Sequence, residues 1–207
     1  MNLPLLENQR NLAGKKVLLR LDLNVPIKDG KVGDDFRIRK ILPTLEFLHN
    51  AGARTIILSH LEGKGGDSLL AVWQELIKKF TISFSANFSQ LEKSVTELEN
   101  GGFAMFENLR ADLGEKANDK NFAKKLASFG EIFVNEAFAV SHRAHASIVG
   151  LPKFLSSFAG PLFAEETRRL SAALQPPRPA LFILGGAKFE TKLPLLKKFI
   201  RLYDSVF

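Results

Sequence analysis

Cysteine is absent from this 207-residue chain, and tyrosine and tryptophan occur once each. Without cysteine there is no disulfide, no thiolate nucleophile and no thiolate metal site, a composition that suits a reducing compartment. Long apolar runs are also missing. No stretch reaches the roughly 18 consecutive apolar residues of a membrane-spanning helix, and a membrane role is not expected. The amino terminus has no basic region followed by an apolar stretch, so no secretory signal is expected either. Acidic residues are in deficit, 22 against 29 Lys and Arg, which leaves a net charge of +7. A basic balance favours anionic partners: nucleic acid, acidic lipid or phosphorylated metabolites. Much of the excess sits in pairs such as Lys78-Lys79, Lys124-Lys125 and Lys197-Lys198, which read as solvated helix faces. No basic stripe interleaved with aromatics is present, and nucleic acid is set aside. What is plentiful is apolar side chain. Hydrophobic residues make up 45%, with 18 Phe as core filler, enough for a sizeable core.

The apolar residues are grouped. Val17–Asn24, Thr55–His60, Phe103–Arg110 and Ile132–Glu136 are short apolar runs that each end in polar side chains. Helical patterns lie between them. Phe36–Asn50 carries Ile38, Ile41, Leu42, Leu45 and Leu48 at helical spacing, with Pro43 inside and Gly52 as the expected carboxyl cap. Ser68–Phe80, Ser89–Glu99, Asp119–Phe129, Ala164–Leu174 and Leu193–Tyr203 also read as helices, the third with an Asp cap and Gly130 behind it. Thr81–Asn87 is a weaker strand pattern, and 138–160 is mixed. Alternating strands and helices predict an α/β fold, three-layer αβα with a mainly parallel, Rossmann-like sheet. Gln175–Pro179 is the Pro-dense stretch and the linker candidate, followed by the apolar run Ala180–Leu184. The expected organisation is a domain over 1–174, a linker over 175–179 and a strand–helix unit over 180–207.

In a parallel sheet the carboxyl ends of the strands share one edge, and ligands bind outside it. Asp22, Asn24, His60, Asn108, Arg110 and Asn135 are expected to gather there. A strand buried on both faces should be apolar throughout, so Asp22 and Asn24 either cap the following turn or bind polar groups of a ligand. In the run Val17–Asn24, Arg20 alternates with the leucines and is read with Asp22 and Asn24 as one polar side. Arg37 opens a helix, where a cation is slightly unfavourable. Arg110 and Arg143 follow strand ends. Any one of these arginines reads as a surface residue, but their common placement points to phosphate or carboxylate. The His142…His145 spacing allows a metal ligand pair, yet zinc would need carboxylates to complete its shell, and no metal site is assigned. Gly185-Gly186-Ala187-Lys188 follows a strand and precedes a helix, a placement in which backbone N–H groups approach phosphate. It lacks the Walker A spacing.

With those residues in view, the chain resembles the phosphoglycerate kinase family. The resemblance rests on RLDLNVPIKDGKVGDDFRIRKILPTLEFL, ILSHL, FENLR, NDKNFAKKLAS, VNEAFAVSHRAHASIVG and LFILGGAKFETK, which follow the family's order from about Val17 to Lys192. It implies a two-domain kinase that moves a phosphoryl group between 1,3-bisphosphoglycerate and ADP, giving 3-phosphoglycerate and ATP in glycolysis. The nucleotide would come as MgATP or MgADP, and a cytoplasmic monomer is expected. Carried over by residue, it implies substrate binding by Asp22, Asn24, Arg37, His60, Arg110 and Arg143. Arg37 and Lys188 would be the catalytic residues, Arg37 stabilising the transferring phosphoryl group, and Lys188 and Lys192 would serve the nucleotide.

Two departures matter. The family has His-Leu-Gly-Arg where this chain has His60-Leu61-Glu62-Gly63. The loop arginine is missing, Lys64 cannot copy a bidentate contact, and Glu62 brings a negative charge toward an anion site. The resemblance also covers the substrate domain and only the first unit of the nucleotide domain. The expectation is therefore substrate binding with weak nucleotide binding and little turnover. The alternative is a non-catalytic anion-binding module on the same fold.

Overall fold

The described residues of the computed structural model are 3–62, 68–185 and 189–207. They form two compact units, Met1–Ala164 and Glu165–Phe207.

The first unit is built on a six-stranded sheet. Its strands are β1 (Lys16–Arg20), β2 (Arg54–Leu58), β3 (Ile82–Ser85), β4 (Phe103–Phe106), β5 (Ile132–Asn135) and β6 (Ser156–Ala159). Their spatial order is β3-β4-β2-β1-β5-β6, and every pair is parallel. In β1, Val17 and Leu19 face one apolar cluster while Leu18 faces another. The same alternation runs through Ile56 and Ile57, Phe103 and Ala104, and Phe133 and Val134. Both faces are therefore covered, and the three-layer αβα arrangement follows.

On one face lie α1 (Phe36–Asn50) and α2 (Leu70–Leu76), through Ile38, Ile41, Leu45, Leu48, Val72 and Leu76. On the other lie α3 (Phe88–Thr96) and α5 (Lys120–Ala127), with Leu91, Val95, Phe122 and Leu126. Each buried Leu or Ile stabilises by roughly 1.5–3 kcal/mol relative to exposure. Pro43 lies inside α1 on its exposed side, where water can serve the carbonyl that proline leaves without a donor. Gly52, at φ +69°, ends the helix, its N–H donating to His49 at 3.0 Å while Ala53 donates to Leu48. Asp119 caps α5 by accepting from the Phe122 N–H at 2.7 Å. A short helix, α4 (Leu113–Ala117), precedes it, capped by Asp112.

The structure differs from the sequence reading at several ends. The first run leaves the sheet after Arg20, so Asp22 and Asn24 lie on the connection beyond the strand. Arg20, read with them as one polar side, is fully buried. Helix α2 stops at Leu76, short of Phe80. The mixed stretch 138–160 contains the edge strand β6, whose Ser-Ser-Phe-Ala carries little apolar signal because only Ala159 is fully covered.

Helix α6 (Pro161–Ala172) spans the division between the units. In the second unit, β7 (Leu181–Phe182) pairs in parallel with β8 (Ser205–Val206), and α7 (Phe189–Phe199) connects them. Phe182 stacks on Phe199 at 4.5 Å between ring centroids and lies 5.3 Å from Tyr203. Asp204 accepts from the Ala180 N–H at 2.7 Å and pairs with Arg178.

Candidate functional site

The polar residues that end β1, β2 and β4 meet at the carboxyl edge of the sheet, held there by a lattice of side chain to backbone bonds. Ser59 donates to the Leu21 carbonyl at 2.8 Å and accepts from the Leu23 N–H at 3.0 Å, tying the exits of β2 and β1 together. Asn108 grips Leu61 twice, accepting from its N–H and donating to its carbonyl, each at 3.1 Å. The same Asn108 oxygen accepts from the Arg110 N–H at 3.0 Å and so starts the turn Leu109–Ala111. Asn24 accepts from the Glu62 N–H at 2.8 Å. Glu107 accepts from Leu69 N–H, Ser68 Oγ and Asn108 N–H, which fixes the approach to α2. Such bonds satisfy backbone groups that a strand leaves behind when it exits a sheet.

Two charged clusters rest on this frame. The first surrounds Arg20, which is 0% exposed. Its Nε donates to Ser147 Oγ at 2.9 Å, one terminal nitrogen donates to the Leu21 carbonyl, and the other lies 3.0 Å from His60 Nδ1. Ser147 in turn donates from Oγ and N–H to the buried Glu115 carboxylate at 2.6 and 2.9 Å. Burial pulls the Arg20 pKa down to about 10, with Glu115 and Asp22 opposing the fall. It remains charged at neutral pH. His60 is pushed down to about 2, by burial first and then by Arg20, Arg110, Arg143 and Arg37. It is therefore neutral, Nδ1 accepts from Arg20, and the ring proton sits on Nε2.

The second cluster joins the predicted anion ligands. Arg110 and Arg143 both pair with Oε1 of Glu62, Arg143 at 2.8 Å. The Arg110 side chain is only 4% exposed and meets Glu62 through one terminal nitrogen; among the described residues its Nε and other terminal nitrogen have no hydrogen-bond partner. Arg37 pairs with Asp22, whose other oxygen accepts from the Asn24 N–H at 3.2 Å. Asp22, Asn24, Arg37, His60, Arg110 and Arg143 are thus linked along one edge through direct contacts, Glu62 and the field on His60.

Asn135 turns away from this group, bonding its own following loop at Ala137 and Ser141. Lys188 and Lys64 lie outside the described residues, and Lys192 lies in α7. Sequence reasoning missed Arg20, Ser59, Glu107 and Glu115 as parts of the site's frame. Arg20 carried the usable signal: a charge inside a strand apolar on both faces has to be paired.

The edge carries three arginines and a neutral imidazole, with Asp22 paired to Arg37 and Glu62 set between Arg110 and Arg143.

Comparison with known proteins agrees with the fold. The family model described as phosphoglycerate kinase matches residues 7–207. A phosphoglycerate kinase of Caulobacter sp. is 42% identical over 204 residues, covering 94% of this chain and 52% of that protein. The structure of phosphoglycerate kinase from Coxiella burnetii superposes with a TM-score of 0.87 at 35% identity, over 99% of this chain and 54% of that one. The enzyme from Pyrococcus horikoshii gives 0.86 at 30% identity, over 98% of this chain. The chain spans about half the length of the relatives it matches.

Proposed function

This chain belongs to the phosphoglycerate kinase family, and from that premise we propose that its strand-end edge binds 3-phosphoglycerate or 1,3-bisphosphoglycerate. It would serve as the substrate side of phosphoryl transfer to and from ADP. The observation that carries the reading is Arg110, a buried guanidinium beside Arg143 whose Nε and one terminal nitrogen have no hydrogen-bond partner among the described residues. A buried charge with unmet donors is costly, and a phosphate supplies the acceptors through paired, charge-assisted contacts.

On this reading Arg110 and Arg143 hold the substrate phosphate. Asp22, Asn24 and the Nε2–H of His60 address its hydroxyl and carboxylate groups. Arg37 leaves Asp22 to stabilise the transferring phosphoryl group, worth roughly 3–4 kcal/mol by analogy with one transition-state donor. Lys188 and Lys192 belong to the nucleotide side. Phosphoryl transfer requires positioning and charge stabilisation more than a base, because the substrate carboxylate is itself the nucleophile toward ATP. Magnesium accompanies the family's nucleotide. Among the described residues no cluster of three His, Cys, Asp or Glu gathers to hold a metal.

Glu62 on both arginines favours a second reading, a non-catalytic anion-binding module. Calorimetric titration separates the two. Binding of 3-phosphoglycerate well above that of another sugar phosphate supports the substrate site, with weak nucleotide binding and little turnover of these 207 residues in a coupled assay. Equal and feeble binding of both ligands supports the module.

A further inference from the structure

Glu62 is the carboxylate set between the two arginines assigned to the guest's phosphate, and its charge opposes that guest. The resemblance places glycine at this position, so the carboxylate is a feature of this chain. A single oxygen, Oε1, meets both Arg110 and Arg143. Its backbone is fixed from two sides: Asn24 accepts from its N–H, and Asn108 grips the preceding Leu61. The side chain remains 47% exposed, so rotation about its own torsions carries the carboxylate into water without moving the loop.

We infer that Glu62 is a built-in, displaceable counter-anion of the Arg110–Arg143 pair, seated where the substrate phosphate binds and setting the affinity of the site for phosphorylated acids. The inference rests on the assignment of those arginines to the substrate phosphate. Two guanidinium groups brought together repel, and Arg110 is too buried for water to relieve it. Glu62 supplies the missing negative charge while the site is empty. The pairing holds its pKa below the usual glutamate value, through the Arg143 hydrogen bond first and then, against partial burial, the charge of Arg110. It is therefore ionised at neutral pH and competes fully. Because it is tethered, it competes at high effective concentration. A phosphate outcompetes it with more charge and more acceptor oxygens, yet afterwards faces the displaced carboxylate nearby, a like-charge contact. The seat suits a dianion that can expel a carboxylate better than it suits a second carboxylate.

The test is calorimetric titration of 3-phosphoglycerate and of inorganic phosphate into the wild type, Glu62→Gln, Glu62→Asp and the control Glu92→Gln. Glu92 lies exposed on α3, and its loss changes net charge equally without touching the edge. Thermal melts check that each variant is folded. Glu62→Gln is expected to tighten 3-phosphoglycerate about tenfold or more, the scale of a like-charge contact removed. Glu62→Asp, one methylene shorter, should fall between, and Glu92→Gln should match the wild type. Equal 3-phosphoglycerate affinity in wild type and Glu62→Gln overturns the counter-anion while leaving the substrate site standing. Inorganic phosphate bound more tightly by Glu62→Gln, with 3-phosphoglycerate no better than phosphate, keeps the counter-anion and removes the substrate assignment. No binding of either anion by any variant overturns both.

Discussion

Two clusters of buried charge lie side by side at the carboxyl edge of the sheet, and they are built to opposite rules. Around Arg20 each contact is answered. Ser147, the Leu21 carbonyl and His60 take its donors, and Glu115 balances its charge through Ser147. Around Arg110 the charge is nearly as deep, yet two of its three nitrogens have no hydrogen-bond partner among the described residues, and its ion-pair partner Glu62 is half exposed. Folding alone rewards the first arrangement and penalises the second. The closed cluster is therefore framework, and the open one is a place kept for a guest. Substituting each arginine in the same way is the direct means of breaking that distinction.

The largest effect is expected at the closed cluster. Arg20→Met keeps much of the volume but leaves Glu115 as an uncompensated buried charge and removes the donor to the Leu21 carbonyl. Loss of one partner of a buried pair costs about 3–5 kcal/mol, which urea unfolding should report as a large fall in midpoint. A loss under about 1 kcal/mol would mean that Arg20 is not structural.

His60 links the clusters and gives the next largest effect. Its folded pKa of about 2 lies far below the ordinary 6.5. Between those values the unfolded chain binds a proton that the folded chain refuses, so stability is fully present above pH 6.5 and is lost as pH falls toward 2. The slope is at most ~1.4 kcal/mol per pH unit for one proton. The stability of wild type relative to His60→Gln, which retains an acceptor for Arg20, should therefore shrink steadily from pH 6.5 to 4.5. Parallel stability curves over that range would place His60 outside the buried field.

Asn108→Ala tests the frame that holds the open cluster. It strands the Leu61 N–H and carbonyl in a buried loop and removes the cap of the Leu109–Ala111 turn. About 1–2 kcal/mol of stability should go, within the range for a lost cap and buried hydrogen bonds. The loop carrying Glu62 should also gain amide exchange at Leu61. Unchanged exchange there would mean that Asn24 alone holds the loop.

The layered α/β fold was legible because strands covered on both faces read as continuous apolar runs, and α1 because its stripe repeats at helical spacing. The candidate ligands were legible as polar residues at the ends of those runs. The edge strand β6 was hidden because Ser156 is exposed and Ser157 and Phe158 are only partly covered, leaving little pattern to read. The closed cluster was hidden for a different reason. Its partners, Arg20, Glu115 and Ser147, are remote in the chain, and residue spacing carries no record of which distant carboxylate meets a given guanidinium. Glu62 was visible as a departure from the family pattern, but its place between two arginines is a fact of three dimensions.

The smallest expected change in stability is the one that sharpens the contrast most. Arg110→Met removes a charge as deeply placed as many structural ones, with a side chain 4% exposed. Its loss strands no buried acceptor, because the carboxylate it meets, Glu62, is half exposed and retains Arg143 and water. The folded protein also sheds the desolvation cost of a partly satisfied guanidinium, which offsets lost contacts of the aliphatic stem. Stability should therefore stay within about 1 kcal/mol of wild type, or rise. Binding of 3-phosphoglycerate should fall at least tenfold, since charge-assisted bonds contribute about 1.5–3 kcal/mol each. If Arg110→Met instead unfolds the protein as Arg20→Met does, the two clusters obey one rule, and the open one is framework as well.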